Sequence, residues 1–358
     1  MKVLIATGGS GGHIYPALTL GHYLQKEEEV FLAGSFCRMP DIVKGHGFPV
    51  YEVGSVGLAA NSLKSVLRFA YFMLKSIFAS KKILRTVKPD VVIGFGGYGA
   101  FPVVLMACLM GIPAVMHEQN VVPGRANALL SKMVKRVAIS FTESDKYFPS
   151  HKTSFTGNPG RFKESTIVRA AVLEEWHLDK NLFTVLVMGG SQGSEKLNII
   201  SAEAFNLLKD FLPVQVIHIA GQRDEEEVRA KYERKSIKHC VFSFLNKIEK
   251  AYAVADLVVA RAGAMTVSEI AYYALPAILI PYPHARAHQR ENAQLLSSRG
   301  AAVVIDEKDL SAPILKKKMM LLRNSPIAEE VLQRAHQDLY QPEASSALAS
   351  LLQETLYD

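Results

Sequence analysis

The chain is poor in cysteine. Cys37, Cys108 and Cys240 are three in 358 residues, with no C-x-x-C. That excludes a disulfide framework and a zinc site of the usual spacing, and suits a reducing compartment. No D-x-D occurs, so the aspartate pair that commonly holds a divalent metal against a sugar nucleotide is missing. No apolar stretch is long and uncharged enough to span a bilayer, and the opening MKVLIATGG breaks on glycine too early for a signal peptide. The dinucleotide fingerprint also fails. After Gly9 and Gly11 the third glycine of G-x-G-x-x-G would fall on Ile14, and no Walker lysine follows, which disfavours a nicotinamide-dependent oxidoreductase.

What is present is the composition of a globular protein with a sizeable core, 49% hydrophobic and 21% charged, at a length that favours two domains. The net charge of +7 is unevenly spread: residues 1–160 carry 17 Lys and Arg against 9 Asp and Glu, and the remainder 24 against 25. The N-terminal half should therefore face something anionic. Between Val53 and Pro89 there is no acidic residue at all. Leu63 to Arg85 has helical spacing, with Lys64, Arg68, Lys75 and Lys82 on one face and Phe69, Phe72, Met73, Ile77 and Phe78 on the opposite side and its flanks. Two readings are open: a core-packed helix with a solvated basic face, or a helix resting on anionic lipid.

The pattern of apolar strand, Gly-rich loop and helix runs twice. The first series comprises Lys2 to Ala6 before TGGSGGH and a helix over Ile14 to Leu24, then Asp90 to Phe95 before GGYG, Pro113 to Met116 before HEQN, and Val137 to Ser140. It ends in the turn chemistry of TGNPGR at Thr156 to Arg161. The second begins with FTVLVMGGSQGS and continues through VQVIHIAG and LVVARAG. This predicts an α/β protein of two Rossmann-like doubly wound domains facing across a cleft, residues 1–160 and 161–340. A long helix over Ile314 to Tyr340 carries the chain back, and residues 341–358, with a helix over Ser345 to Leu356, pack on the first domain. Polar residues at the carboxyl ends of such strands, including Arg125 and Asn127, mark where ligands bind.

The most informative stretch is Leu257 to Asn292. Its strand, turn and helix put unpaired amides and a positive dipole end where a phosphate group can sit. Thr266 and Glu269 read either as a capping box or, for Glu269, as a carboxylate accepting from a ribose diol. Arg161 is the natural cation for a leaving diphosphate, although an Arg beside a turn is more often simply surface.

GGSGGHIYPA at Gly8, GFGGYGAFP at Gly94, HEQN at His117, GNPGR at Gly157, GGSQGS at Gly189, GAMTVSEI at Gly263 and HQREN at His288 occur in order along nearly the whole chain. Together they resemble the MurG family of bacterial N-acetylglucosaminyltransferases. The resemblance implies a GT-B fold and an inverting transfer of N-acetylglucosamine from UDP-N-acetylglucosamine to the 4-hydroxyl of MurNAc-pentapeptide on undecaprenyl diphosphate, lipid I to lipid II. By motif, Ala264, Met265 and Thr266 would lie against the uridine and diphosphate, Glu269 would hold the ribose and Gln289 the sugar. Arg161 and Ser191 would face the diphosphate, Asn127 would assist the donor sugar, and Ser10, Gly11 and Gly12 would also touch the donor. Acceptor contacts would come from Gly9, Gly11, Gly12, His13, Gly97, Tyr98, Gln119 and Asn120.

His13, at a helix start where positive potential favours the neutral ring, is the candidate general base. The competing idea has His13 orient the acceptor diphosphate while Glu118 or a water takes the proton. Ala100 and Phe101 depart from the small Ser-Gly pair usual in the family, an added ring that could alter the grip on the acceptor. No cofactor is expected; a divalent cation can assist, but no protein ligand site is predicted, and no nucleic acid is expected as a partner. The Lys64 to Arg85 helix would rest on the cytoplasmic face of the bacterial cytoplasmic membrane. Two competitors remain: a sugar-nucleotide 2-epimerase on the same scaffold, and a non-enzymatic donor-binding subunit.

Overall fold

The computed structural model describes residues 1–36, 43, 45–54, 63–160, 167–190, 193–283 and 288–357. The chain divides into two compact units, Met1–Arg161 with Gln341–Asp358, and Phe162–Tyr340.

In the first unit the apolar runs become strands and the 3.6-period segments helices: β1 (Lys2–Gly8), α1 (Gly11–Leu24), β2 (Glu29–Ser35), β3 (Val50–Glu52), α2 (Leu63–Val87), β4 (Val91–Gly94), α3 (Ala100–Leu109), β5 (Ala114–Glu118), α4 (Arg125–Leu130), β6 (Arg136–Ile139) and β7 (Thr153–Phe155). The strands are parallel in the order β3-β2-β1-β4-β5-β6-β7. Alternation along β1 sends Val3 and Ile5 to one face, where they meet Ile14 and Leu18 of α1, and Leu4 and Ala6 to the other, with Leu84 of α2 and Val103 and Val104 of α3. Both faces are covered, as parallel crossovers require, so the strands read as continuous apolar runs. The chain builds outward from β1 to β3 and then returns to lay β4 on the other side of β1. That reversal opens a crevice at the carboxyl ends of β1 and β4.

The second unit repeats the plan with α5 (Arg169–Glu175), β8 (Phe183–Met188), α6 (Glu195–Leu208), β9 (Val214–Ile219), α7 (Glu225–Glu233), β10 (Lys238–Phe242), α8 (Ile248–Val254), β11 (Leu257–Ala260), α9 (Ala264–Tyr272), β12 (Ala277–Leu279), α10 (His288–Ser297), β13 (Ala302–Val304), α11 (Ala312–Asn324) and α12 (Glu329–Leu339). Its parallel order is β10-β9-β8-β11-β12-β13, so here the reversal falls between β8 and β11.

Two helix expectations are corrected. The first helix starts at Gly11 rather than Ile14, because Gly11 and Gly12 enter the helix instead of lengthening the loop. The single helix expected over Ile314 to Tyr340 is two, α11 and α12, broken where Pro326 lacks an N–H and disfavours helical dihedrals in Ser325 before it. It is α13 (Ala344–Tyr357) that belongs to the first unit. Its Leu348, Leu351 and Leu352, spaced to share one helix face, are buried with Val3, Ile5 and Ile93. Each contributes about 1.5–3 kcal/mol by burial. No helix among the described residues is long and apolar enough to cross a membrane.

Candidate active site

At the reversal of the first sheet two glycine loops press together, backbone on backbone. A Cβ on Gly97 would stand 2.4 Å from the Gly8 carbonyl, and one on Gly8 2.6 Å from that of Ser35. Ser10 caps α1 in an extended conformation without a side-chain bond, leaving the first amides of the helix, at Gly11 and Gly12, for a ligand. His13 follows at the third helical position, its backbone N–H spent on the Ser10 carbonyl at 3.0 Å. Gly96, at φ +87°, is bare where a Cβ would lie 3.3 Å from both the His13 ring and Asn127 Nδ2. That bareness lets two side chains converge.

The His13 ring is tied to β5. Its Nδ1 lies 2.9 Å from Gln119 Oε1, Gln119 Nε2 lies 2.9 Å from His117 Nδ1, and His117 Nε2 donates to the Gly157 carbonyl at 2.9 Å. His117 is fully buried, and burial pushes its pKa down to about 4; the bond to Gly157 opposes this, and a proton on the nearby His13 ring would add to it. Among the described residues His13 Nε2 has no hydrogen-bond partner.

Two of the expected site residues are engaged within the protein. Gln119 is 1% exposed with both ends of its amide engaged, the oxygen by His13 and the nitrogen by His117. Glu118, offered as an alternative base, is equally buried. Its Oε1 accepts from the backbone and side-chain nitrogens of Asn120 at 2.9 and 3.0 Å, and its Oε2 from Gly124 N at 3.2 Å and Asn127 Nδ2 at 2.8 Å. Four donors occupy the four lone-pair sites of a carboxylate, so Glu118 organises the 118–127 loop rather than awaiting a proton. Asn127 Oδ1 is left buried with no partner among the described residues, the kind of orphan that a ligand hydroxyl or amide satisfies. Asn120 is half-buried, Tyr98 is 43% exposed with its ring edge against Phe69 of α2, and Gly9 is held by its N–H to the Ser35 carbonyl at 3.2 Å. Ala100 is buried and Phe101 packs into the core behind α3, so the departure from the family pattern points inward.

In the second unit α9 begins at Ala264 with Gly263 as its cap and no side-chain cap bond. The capping box is therefore not formed: Thr266 lies inside the first turn, and Glu269 is three positions too deep to reach the cap amide. Glu269, 7% exposed, instead accepts from the Tyr252 hydroxyl at 2.9 Å. Ala264 and Met265 are buried and Thr266 half-buried on the same first turn. Gln289, on the first turn of α10, accepts at Oε1 from Tyr282 N at 2.9 Å, and Asn292 ties that helix to the Ala262 carbonyl at 3.2 Å. Arg161 and Ser191 lie outside the described residues.

Sequence reasoning missed Tyr252 and Arg261. Tyr252 sits in a helix nearly buried, with no motif around it. Arg261 was visible as a charge closing the apolar run LVVA. It is 7% exposed, donates to Ser194 Oγ at 2.7 Å and the Ile280 carbonyl at 3.2 Å, and pairs with Glu307. It thereby locks the end of the β8 glycine loop to β11 and β12.

The surface of α2 also differs from expectation. Phe78, placed on the flank opposite the basic face, is 70% exposed, and it forms one stripe with Leu67, Tyr71 and Leu74, which are 61%, 63% and 58% exposed. At 100° per residue this stripe runs directly beside Lys64, Arg68, Lys75 and Lys82, all exposed. The outward face is apolar and basic side by side. A merely solvated face has no reason to be.

Comparison with known proteins agrees with this geometry. Residues 3–139 match the glycosyltransferase family 28 N-terminal domain and residues 184–348 its C-terminal domain. The UDP-N-acetylglucosamine--N-acetylmuramyl-(pentapeptide) pyrophosphoryl-undecaprenol N-acetylglucosamine transferase of Thermodesulfovibrio yellowstonii is 35% identical, and that of Bacillus subtilis 36%, each over 99% of this chain and 99% of the relative. Among solved structures, Acinetobacter baumannii MurG superposes with a TM-score of 0.77 at 31% identity, covering 99% of both chains. A UDP-GlcNAc 2-epimerase from Neisseria meningitidis superposes at 0.70 over 99% of this chain and 100% of that one, but at 16% identity it shows the shared fold alone.

Proposed function

The chain belongs to glycosyltransferase family 28, and on that premise we propose that it transfers N-acetylglucosamine from UDP-N-acetylglucosamine to the C4 hydroxyl of the MurNAc-pentapeptide carried on undecaprenyl diphosphate, with inversion at the anomeric carbon. It is a glycosyltransferase of the GT-B class, two Rossmann-like units in one chain. The observation that carries the reading is the placement of one glycine-loop cluster at the reversal point of each sheet, in a chain matched end to end by transferases of this description.

Donor binding is assigned to the second unit. The amides opening α9, at Ala264, Met265 and Thr266, take the uridine and diphosphate, and Glu269 accepts from the ribose diol while Tyr252 holds the carboxylate in place. Gln289 addresses the sugar, and Arg161 and Ser191 the diphosphate. Acceptor binding is assigned to Gly9, Gly11, Gly12, Gly97, Tyr98 and Asn120 of the first unit, with Asn127 Oδ1 turned to a sugar. His13 Nε2 removes the C4 proton as that oxygen attacks the anomeric carbon from the face opposite the departing UDP. Helix-end amides and a guanidinium carry the charge of the leaving diphosphate, and no metal is given a role.

The mixed face of α2 suits a peripheral seat on an anionic membrane, apolar side chains entering the acyl boundary and lysines meeting headgroups. We assign it to the cytoplasmic face, where a nucleotide-sugar donor and a reducing compartment coincide. The deciding experiment is transfer of labelled sugar from UDP-N-acetylglucosamine to a short-chain lipid I analogue, with and without chelator. Product formation in both conditions is expected. Conversion of the donor alone to its manno isomer would replace this reading with an epimerase.

A further inference from the structure

The hydrogen bonds behind His13 end on backbone carbonyls, which can only accept, and that fixes every proton between them. The Gly157 carbonyl, 2.9 Å from His117 Nε2, places the His117 proton there and leaves its Nδ1 as an acceptor. Gln119 Nε2 stands 2.9 Å from that Nδ1 and 3.2 Å from the His117 carbonyl. Turning the amide over would set its oxygen against that carbonyl, so Nε2 stays. The amide oxygen is then the end that faces His13, and at 2.9 Å it demands a proton on His13 Nδ1.

We infer that Gln119 and His117 are positioning residues that hold neutral His13 in its Nδ1–H tautomer, leaving the lone pair on Nε2. The inference rests on the reading of His13 as the base. In the reaction the acceptor O–H bond breaks, its proton forms a bond to Nε2, and the imidazolium keeps Nδ1–H on Gln119; no proton travels along the chain of bonds. Full burial keeps His117 uncharged, which the arrangement needs, because a second proton on its Nδ1 would oppose the Gln119 amide. Other groups beside this array are already spent: Ser140 Oγ lies 3.4 Å from His117 Nε2, and the neighbouring Glu118 is saturated within its own loop. The motif HEQN thus divides its work: His117 and Gln119 set the base, while Glu118 and Asn120 bond to each other and shape the loop.

Ring-¹⁵N spectra of the whole chain test this without any variant in the active state, the His13 signals being those lost in His13→Gln. With the ring neutral, a pyrrole-type Nδ1 and a pyridine-type Nε2 are expected, and the reverse pattern overturns the inference. Gln119→Met keeps the length of the side chain and removes both bonds. It should lose the fixed tautomer and lower kcat about tenfold or more, with KM for UDP-N-acetylglucosamine within twofold. Unchanged kcat in a folded Gln119→Met overturns the positioning role. Normal turnover in His13→Ala would sink the base reading separately, since the spectra report the tautomer whether or not His13 takes a proton.

Discussion

Each half of the molecule buries one uncharged imidazole on a parallel strand, and the two networks end differently. In the second unit His218 of β9 is fully buried, accepting at Nδ1 from the Tyr232 hydroxyl at 2.8 Å and donating from Nε2 to Asn198 Oδ1 at 3.0 Å. Asn198 is in turn oriented by the Ala220 carbonyl and Asp224, at 2.8 and 2.9 Å. Burial lowers the His218 pKa to about 3, against a smaller opposing pull from Asp224. That set closes on Asp224, which is ion-paired at 3.0 Å with the exposed Arg223, so each of these bonds is made within the protein. In the first unit the same chemistry, built on His117, runs out to the half-exposed His13 at a glycine crevice. What separates a structural imidazole from a mechanistic one here is where its chain of hydrogen bonds stops.

The sharpest way to break that contrast is at His13 and His218. His13→Ala should lower kcat about 10²- to 10⁴-fold, the range of a lost general base, with UDP affinity by calorimetry nearly unchanged; near-normal turnover would put both networks in the structural class. His218→Leu should do the opposite. It orphans a hydroxyl and an amide oxygen at about 1–3 kcal/mol each, so unfolding by denaturant should show a loss on the order of 2–6 kcal/mol while kcat per folded molecule is retained. The pH dependence carries a sign. The folded wild type refuses a proton at His218 that the unfolded chain accepts below its ordinary pKa of 6.5, so wild-type stability falls as pH drops from 6.5 toward 4. The gap to His218→Leu, which has no such proton to refuse, should narrow by at most about 1.4 kcal/mol per pH unit. A gap that widens on acidification would contradict the buried neutral assignment.

A gentler test compares the outer surfaces of the two units. Reversing Lys64, Arg68 and Lys75 to Glu should weaken binding to anionic vesicles at least about a hundredfold, at roughly 1 kcal/mol per basic residue. The same reversal at Lys209, Lys235 and Lys238, exposed in the second unit, should change little. Equal effects would make the attraction a matter of net charge rather than of α2.

Much of this was legible beforehand. The strand, glycine and helix rhythm gave both sheets and put the glycine loops at the strand ends, because apolar alternation and turn chemistry act over a few residues. Motif resemblance supplied the candidates at Glu269 and His13. What it misjudged was availability. Gln119 stands among the expected acceptor contacts and Glu118 as the alternative base; Gln119 meets His13 across 106 residues, and Glu118 takes Asn120, Gly124 and Asn127 from its own loop, a pairing that loop geometry rather than periodicity decides. The grouping of Phe78 with the side away from the basic face does not survive 100° per residue, which sets it beside Lys75 and Lys82, and it is 70% exposed.

The sequence by itself determined two parallel α/β sheets, the glycines that let backbones touch, and the excess of positive charge over residues 1–160, since all of these follow from local pattern and composition. Only the tertiary structure decided which polar groups were free. His13 meets Gln119 across 106 residues and Tyr252 meets Glu269 across 17, and a hydrogen bond, unlike a periodicity, requires its two atoms within about 3 Å of each other.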